Sequence, residues 1–451
     1  MQTVNVLGMS LGESFVEFAL LSDSKVIATK RSYLPRENLK SSLQAFLEAQ
    51  KQYTLSEAYI SLRVPQKMFD SRLGGLVATI STEGFEHWTL LQESKLEVNA
   101  EKDLQYSVKE RIGADGQIIE PLRTEDLEAI AEKLTAATCK RVCLQFLHAS
   151  LFPQHQNTAR EFFTAKGFEV FCPTPSDNPN ETSRWKTHSL NALAGSVFSE
   201  IKQDVMTILE TKLTPEHIHF VNSSGRLEKS EDAKALSGQL SHLTALAATA
   251  KDPKQDYLYL GLEGFYLIHP GTRNSQWNSK WGSVELSHFD FEELDVHPTQ
   301  KIDLNQFGRL DFSDDKECWE PGPMMLGRGQ KPTLIDLWSE NPRLTELETF
   351  TDRLAPAGQT RFKNTLMALN KVNNSNAEVS SLMKNLQSLA VQKLVMEVIL
   401  KKKNSKVQVI GPLSALFANG FKKDTHTTID TQDYAEATAL ALWGPTLQGA
   451  H

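Results

Sequence analysis

Val4-Asn5-Val6-Leu7-Gly8-Met9-Ser10-Leu11-Gly12-Glu13-Ser14-Phe15-Val16-Glu17-Phe18-Ala19-Leu20 opens the chain with two extended apolar runs around a glycine-containing break. Two glycines within five residues, set between β-like runs, predict a tight turn. A third short apolar segment, Lys25-Val26-Ile27-Ala28, continues the extended pattern. The arrangement returns in the second half as Tyr257-Leu258-Tyr259-Leu260, Gly261-Leu262-Glu263-Gly264 and Phe265-Tyr266-Leu267-Ile268. Strand, glycine turn and strand early in each half predict two α/β lobes facing a cleft, divided as residues 1–175 and 176–451.

Beyond these strands, residues 37–50 read as a helix with Leu39, Leu43 and Phe46 on one face. From residue 122 helix and strand alternate. Thr124 is the expected N-cap of a helix carrying Leu127, Ile130, Ala131 and Leu134, with Glu125 and Asp126 at its positive end. A strand over 141–147, a helix over 156–166 stopped by Gly167, and a strand over 168–171 follow, which predicts a parallel βαβ arrangement. Pro173 to Asn180 reads as a linker. Helices are expected over 187–212 and 232–250, with a strand near 217–221 between them. Val379 to Leu400 has a strong apolar stripe ending in Lys401, Lys402 and Lys403, and the last strand, Val407 to Ile410, stops at Gly411.

The 451 residues carry 48 Lys+Arg against 56 Asp+Glu, a formal charge of −8, and are 40% hydrophobic and 23% charged. This is a globular composition with room for about two or three domains. Mild acidity argues against broad nucleic-acid binding, which needs a basic stripe. No stretch approaches the ~20 apolar residues of a membrane span, and the first residues lack a signal-peptide pattern. Cys139, Cys143, Cys172 and Cys318 are too few for a disulfide scaffold and are not spaced as a zinc knuckle. The expectation is a cytoplasmic, soluble protein with reduced thiols and no metal centre.

Several stretches, in order, resemble the A-type subunits of the hydantoinase/oxoprolinase family. Gly8 to Glu17 is similar to G-I-D-V-G-G-T-F-T-D, and Ser81-Thr82-Glu83-Gly84-Phe85-Glu86 to T-T-x-G-F-R-D. Leu147 to Gln156 resembles L-L-H-S-Y-x-N-P-x-H-E, and Arg184, Thr187 and Asn191-Ala192 match R-x-x-T…N-A. The strongest match is Pro321 to Asp336, which resembles P-G-P-x-x-Y-G-R-G-G-x-x-P-T-x-T-D. The resemblance implies an actin-like, Hsp70-like and sugar-kinase-like ATPase fold of two lobes around a nucleotide cleft. It also implies ATP and Mg²⁺ as the means of activating a cyclic amide such as hydantoin or 5-oxoproline. A B-type hydantoinase subunit is the implied partner, in an oligomer.

Such a cleft needs glycine turns that let backbone N–H groups reach phosphate, a carboxylate for Mg²⁺, and hydroxyls for the γ-phosphate. On the resemblance, Gly8, Gly12, Ser14 and Gly411 are the nucleotide-binding candidates, and Arg184, Arg328 and Asp336 are cleft candidates. Ser10 stands where the family has Asp, and Glu13 where it has Gly. The second turn, Leu260 to Phe265, lacks the family's Asp and Thr. A carboxylate ~4 Å from phosphate costs about 4 kcal/mol per like-charge pair at an effective dielectric near 20. Weak or absent ATPase activity is therefore predicted, and two readings stay open: an ATP-dependent cyclic-amide hydrolase, or a non-catalytic scaffold. Taken by themselves, Gly8 and Gly12 read first as ordinary hairpin glycines, and Arg328 and Asp336 as a surface ion pair. His148 and His155 read as structural histidines, and Cys143 as a buried thiol.

Overall fold

The computed structural model describes the chain except residues 1–2, 35–36, 66–74, 87, 89–102, 174–179, 251, 280–281, 346, 348–349, 351–353, 373–378, 422–426, 430–434 and 448–451. Most of the proposed linker at 173–180 lies outside the described residues.

Asn5–Leu11, Phe15–Ser22 and Lys25–Tyr33 form an antiparallel meander. The other edge of Asn5–Leu11 pairs in parallel with Glu57–Leu62, which pairs in parallel with Ile218–Val221. Every residue of Asn5–Leu11 is buried, so this strand lies at the heart of its sheet rather than alternating between core and water. Gly8 is inside the strand, not in the turn. A Cβ there would lie 1.9 Å from the Ala437 carbonyl oxygen, because the Ala435–Leu447 helix presses on the strand.

The second sheet repeats this connectivity. Gln255–Leu260, Phe265–Ser279 and Gly282–Glu293 form the meander. Gln255–Leu260 pairs in parallel with Lys406–Ile410, and that strand with Thr427–Ile429. The two-lobed, actin-like α/β architecture is thus two copies of one topology. The sheets share apolar cores: Phe15 and Tyr33 pack with Trp319 and Phe350, while Val6, Ala19 and Tyr59 pack with Tyr257, Tyr259 and Ile268.

A separate four-stranded sheet comprises Glu169–Phe171, Arg141–Gln145, Val77–Thr82 and Asp103–Val108, all parallel, as the helix–strand alternation predicts. Its helix at Thr124–Ala136 is capped at Arg123, one residue before the expected Thr124, and without a side-chain cap bond. Gly167 (φ 85°) ends Gln154–Ala165 in the left-handed conformation. The long helix starts early, at Glu181, because the Asn180 side chain accepts from the Ser183 N–H. The helix expected over 232–250 shrinks to Ser241–Ala248. Gly238 passes so close to Leu62 that a Cβ would lie 2.5 Å from its carbonyl oxygen. The preceding loop is held instead by side chains: Leu236 N–H donates to Asn191 Oδ1 and Leu240 N–H to Ser223 Oγ.

Candidate functional site

The matching turns of the two sheets meet. In the first, Gly12 N–H donates to Phe15 O (2.8 Å), and the chain folds so that three consecutive amides point one way. Those amides, of Glu13 (2.9 Å), Ser14 (2.5 Å) and Phe15 (3.1 Å), all donate to the carboxylate of Glu263 in the second turn. Gly12 is required for this approach, since a Cβ on it would sit 2.1 Å from Glu263 Oε2. The cradle that the resemblance assigns to phosphate holds a carboxylate of the chain itself, and such charge-assisted bonds are the strong ones.

Glu263 is presented on a fixed backbone. Gly261 N–H closes its turn onto Gly264 O (3.1 Å), Trp319 Nε1–H donates to Leu262 O (3.0 Å), and the His297 Nε2–H donates to Glu263 O (3.1 Å). Thr299 N–H donates to the other His297 ring nitrogen (3.2 Å), which fixes this tautomer.

Behind the cradle lies a buried ionic cluster. Arg63 follows the Glu57–Leu62 strand; its N–H and Nε both donate to Leu11 O, and Gln239 clamps both backbone groups of Val64. Its guanidinium lies 3.4 Å from Glu263 Oε2 and 2.7 Å from Glu436 Oε2. Glu436 also accepts from Ser10 Oγ (2.6 Å) and Tyr259 Oη (2.5 Å). Burial opposes the charge on Glu436, but Arg63 and the hydroxyls of Ser10 and Tyr259 together outweigh it and hold the carboxyl down at about 2. At Glu263 burial wins over Arg63 and, aided by Glu13, pushes the carboxyl up. Against the pull of burial, Glu436 and Glu263 hold the Arg63 guanidinium above its ordinary value.

This arrangement does not fit a Mg²⁺-bound nucleotide phosphate. The amides already have an anion, the Ser10 hydroxyl is committed to Glu436, and the cation between the two carboxylates is Arg63.

The predicted residues are scattered around this centre. Gly12 and Ser14 belong to the cradle; Gly8 is under a helix. Gly411 (φ 106°) lies at a strand end where a Cβ would meet Leu260 O at 2.7 Å. Arg328 and Asp336 do not pair: Arg328 is exposed and bound to Glu320 (2.9 Å). Asp336 is buried and accepts from Met324 N–H, Met325 N–H, Thr333 N–H and Thr333 Oγ1 at 2.7–3.2 Å. It ties the Pro-Gly segment together, and burial pushes its carboxyl up to about 6 against those donors. Arg184 is buried and donates to Ser150 Oγ (2.6 Å). None of these three lines the cavity between the turns. His148 and His155 are held by Ile112 O (2.9 Å) and the Glu110 carboxylate (2.8 Å), and the Cys143 thiol is pushed up to about 12 by burial. Arg63 and Glu436 were not legible as site residues. Their only signal is a charge beside an apolar strand and a lone carboxylate within the apolar run Ala435 to Trp443.

Residues 65–167 match the family model for the hydantoinase/oxoprolinase N-terminal region. An uncharacterised protein of Methanocaldococcus jannaschii is 32% identical over 123 residues, which are 27% of this chain and 18% of that relative's length. Nucleotide-free acetone carboxylase superposes with a TM-score of 0.74 at 15% identity, covering 98% of this chain and 70% of the other. The ATP-dependent caprolactamase of Pseudomonas jessenii gives 0.71 at 15% identity, covering 97% and 70%. The three structures share one fold, and residues 65–167 of this chain are similar to the N-terminal region of the hydantoinase/oxoprolinase family.

Proposed function

We propose that this chain is an A-type-like subunit that works without hydrolysing ATP and serves as the binding partner of a B-type hydantoinase subunit. The observation that carries the reading is the Glu263 carboxylate on the amides of Glu13, Ser14 and Phe15. A nucleotide would have to expel that carboxylate and bring its own negative charge beside Glu13. The family match favours a second reading, ATP-dependent opening of a cyclic amide such as hydantoin or 5-oxoproline.

Calorimetric titration of the full chain with Mg·ATP and Mg·ADP separates them. No heat of binding up to millimolar nucleotide is expected, together with co-purification of a co-expressed B-type subunit. Micromolar affinity, about 8 kcal/mol of binding free energy, would overturn the first reading in favour of the second.

A further inference from the structure

A cavity of about 470 Å³ opens between the two turns, within the size range of small-molecule sites. Its wall carries the carboxylates of Glu13, Glu263, Glu293 and Glu317 against the cations of Arg63 and Lys316. Lys316 is paired with Glu293 (3.0 Å), Arg63 is shared with Glu436 behind the wall, and Lys301 behind it lies 3.5 Å from Glu317. Five carboxylates thus meet three cations, so the field in the cavity attracts positive charge and opposes phosphate.

A second observation points to a ligand. His242 forms part of the same wall, is 2% exposed, and among the described residues neither of its ring nitrogens has a hydrogen-bond partner. Buried polar atoms of this kind are ordinarily satisfied. Burial, aided by Arg63, pushes the imidazole down to about 3, so the ring is neutral and keeps one lone pair to accept an N–H. The rings of Tyr266 and Trp277 complete the wall, the former 6.1 Å from the His242 ring in edge-on contact. Aromatic rings beside carboxylates are the usual surroundings of a bound organic cation.

We propose that this cavity binds a small amine-bearing ligand, whose ammonium group meets the carboxylates and His242 while its apolar part lies against Tyr266 and Trp277. The inference rests on the reading that nucleotide is excluded from the cleft.

The test uses three probes of one shape: benzylamine, benzyl alcohol and benzoate, titrated into the full chain by calorimetry and by the fluorescence of Trp277 and Trp319. Benzylamine is expected to bind at least about tenfold more tightly than benzyl alcohol, and benzoate not at all. His242→Leu should weaken benzylamine by about tenfold and leave benzyl alcohol unchanged. Equal or tighter binding of the alcohol or the acid, or no binding of benzylamine up to ~10 mM, overturns the proposal. Mg·ATP is titrated in the same series. Nucleotide binding would refute the functional reading, whereas silent nucleotide with silent benzylamine refutes only the amine site.

Discussion

Removing the Glu263 carboxylate tests the latch between the two turns. Arg63 and Glu263, 3.4 Å apart, attract by about 5 kcal/mol at an effective dielectric near 20. Desolvation of two buried ions takes back several kcal/mol, so the pair itself contributes little. The three amide bonds decide the balance, at about 1.5–3 kcal/mol each for a charged acceptor. Water from the adjoining cavity recovers part of that on truncation, and Arg63 keeps Glu436 at 2.7 Å and is not stranded. The expected cost of Glu263→Ala is about 3 kcal/mol. Glu263→Gln retains a carbonyl acceptor for the amides but turns an NH₂ toward Arg63, and should cost about half as much. Urea unfolding at pH 7, followed by tryptophan fluorescence, reads both. The emptied cradle should also respond to inorganic phosphate. At ~20 mM phosphate and a dissociation constant near 1 mM, Glu263→Ala gains about 2 kcal/mol while the wild type gains nothing. A cost below about 1 kcal/mol for Ala, or Gln as damaging as Ala, would mean that the cradle amides are not what holds Glu263.

Gly12→Ala places a methyl 2.1 Å from Glu263 Oε2 and should cost about 3 kcal/mol alone but under ~1 kcal/mol in a Glu263→Ala background. Additive costs in a double-mutant cycle would separate the two residues. Burial pushes the half-buried His188, the buried His242 and the half-buried His297 down to about 4, 3 and 3 from 6.5, so the folded state excludes protons that the unfolded state takes up. The stability these residues contribute is present above pH 6.5 and is lost as pH falls, by up to about 4 kcal/mol per pH unit. Urea midpoints that stay level from pH 6.5 to 5 would contradict this. Asp336 has the opposite sign: pushed up from 3.8 to about 6, it contributes most below pH 3.8 and loses about 3 kcal/mol as pH rises through 6. Asp336→Asn lacks the ionisation, so the stability gap to wild type should narrow from pH 4 to 7; a widening gap would refute it.

The meanders and the parallel insertion were legible because their signals are local: apolar runs, glycine breaks and helix periodicity over windows of ten or so residues. Where the reading missed, tertiary contacts overrode the local pattern. The apolar stretch before Ser241 is not helical because Gly238 must approach Leu62, and side chains from Asn191 and Ser223 satisfy the loop's amides. Glu263 is visible in the sequence as a charge within a glycine turn, but its partner amides lie about 250 residues away, and Glu436 reaches Ser10 across 426 positions. One sequence carries no signal for such pairs. The Pro-Gly segment was read as part of the cleft, yet its spacing records the needs of a tight turn. Gly322 at φ 83° would bring a Cβ to 2.2 Å from Trp319 O, and Gly329 one to 2.2 Å from Gly322 O.

Duplicated topology explains why a single carboxylate is enough to close the cleft. Because the sheets share one connectivity, their first turns occupy equivalent places and face each other, one offering amides and the other a side chain. The carboxylate is tethered, so it competes with any diffusing anion at a large advantage. If the latch is worth about 3 kcal/mol, the open cradle is populated about 0.6% of the time. A ligand with an intrinsic dissociation constant near 10 µM would then show an apparent value near 2 mM. Loss of nucleotide binding thus does not require the rest of the cleft to be dismantled. It also sets the expected gain: Glu263→Ala should tighten phosphate binding by about two orders of magnitude. A gain below tenfold would mean that Ser10 and Glu13, rather than the latch, keep phosphate out.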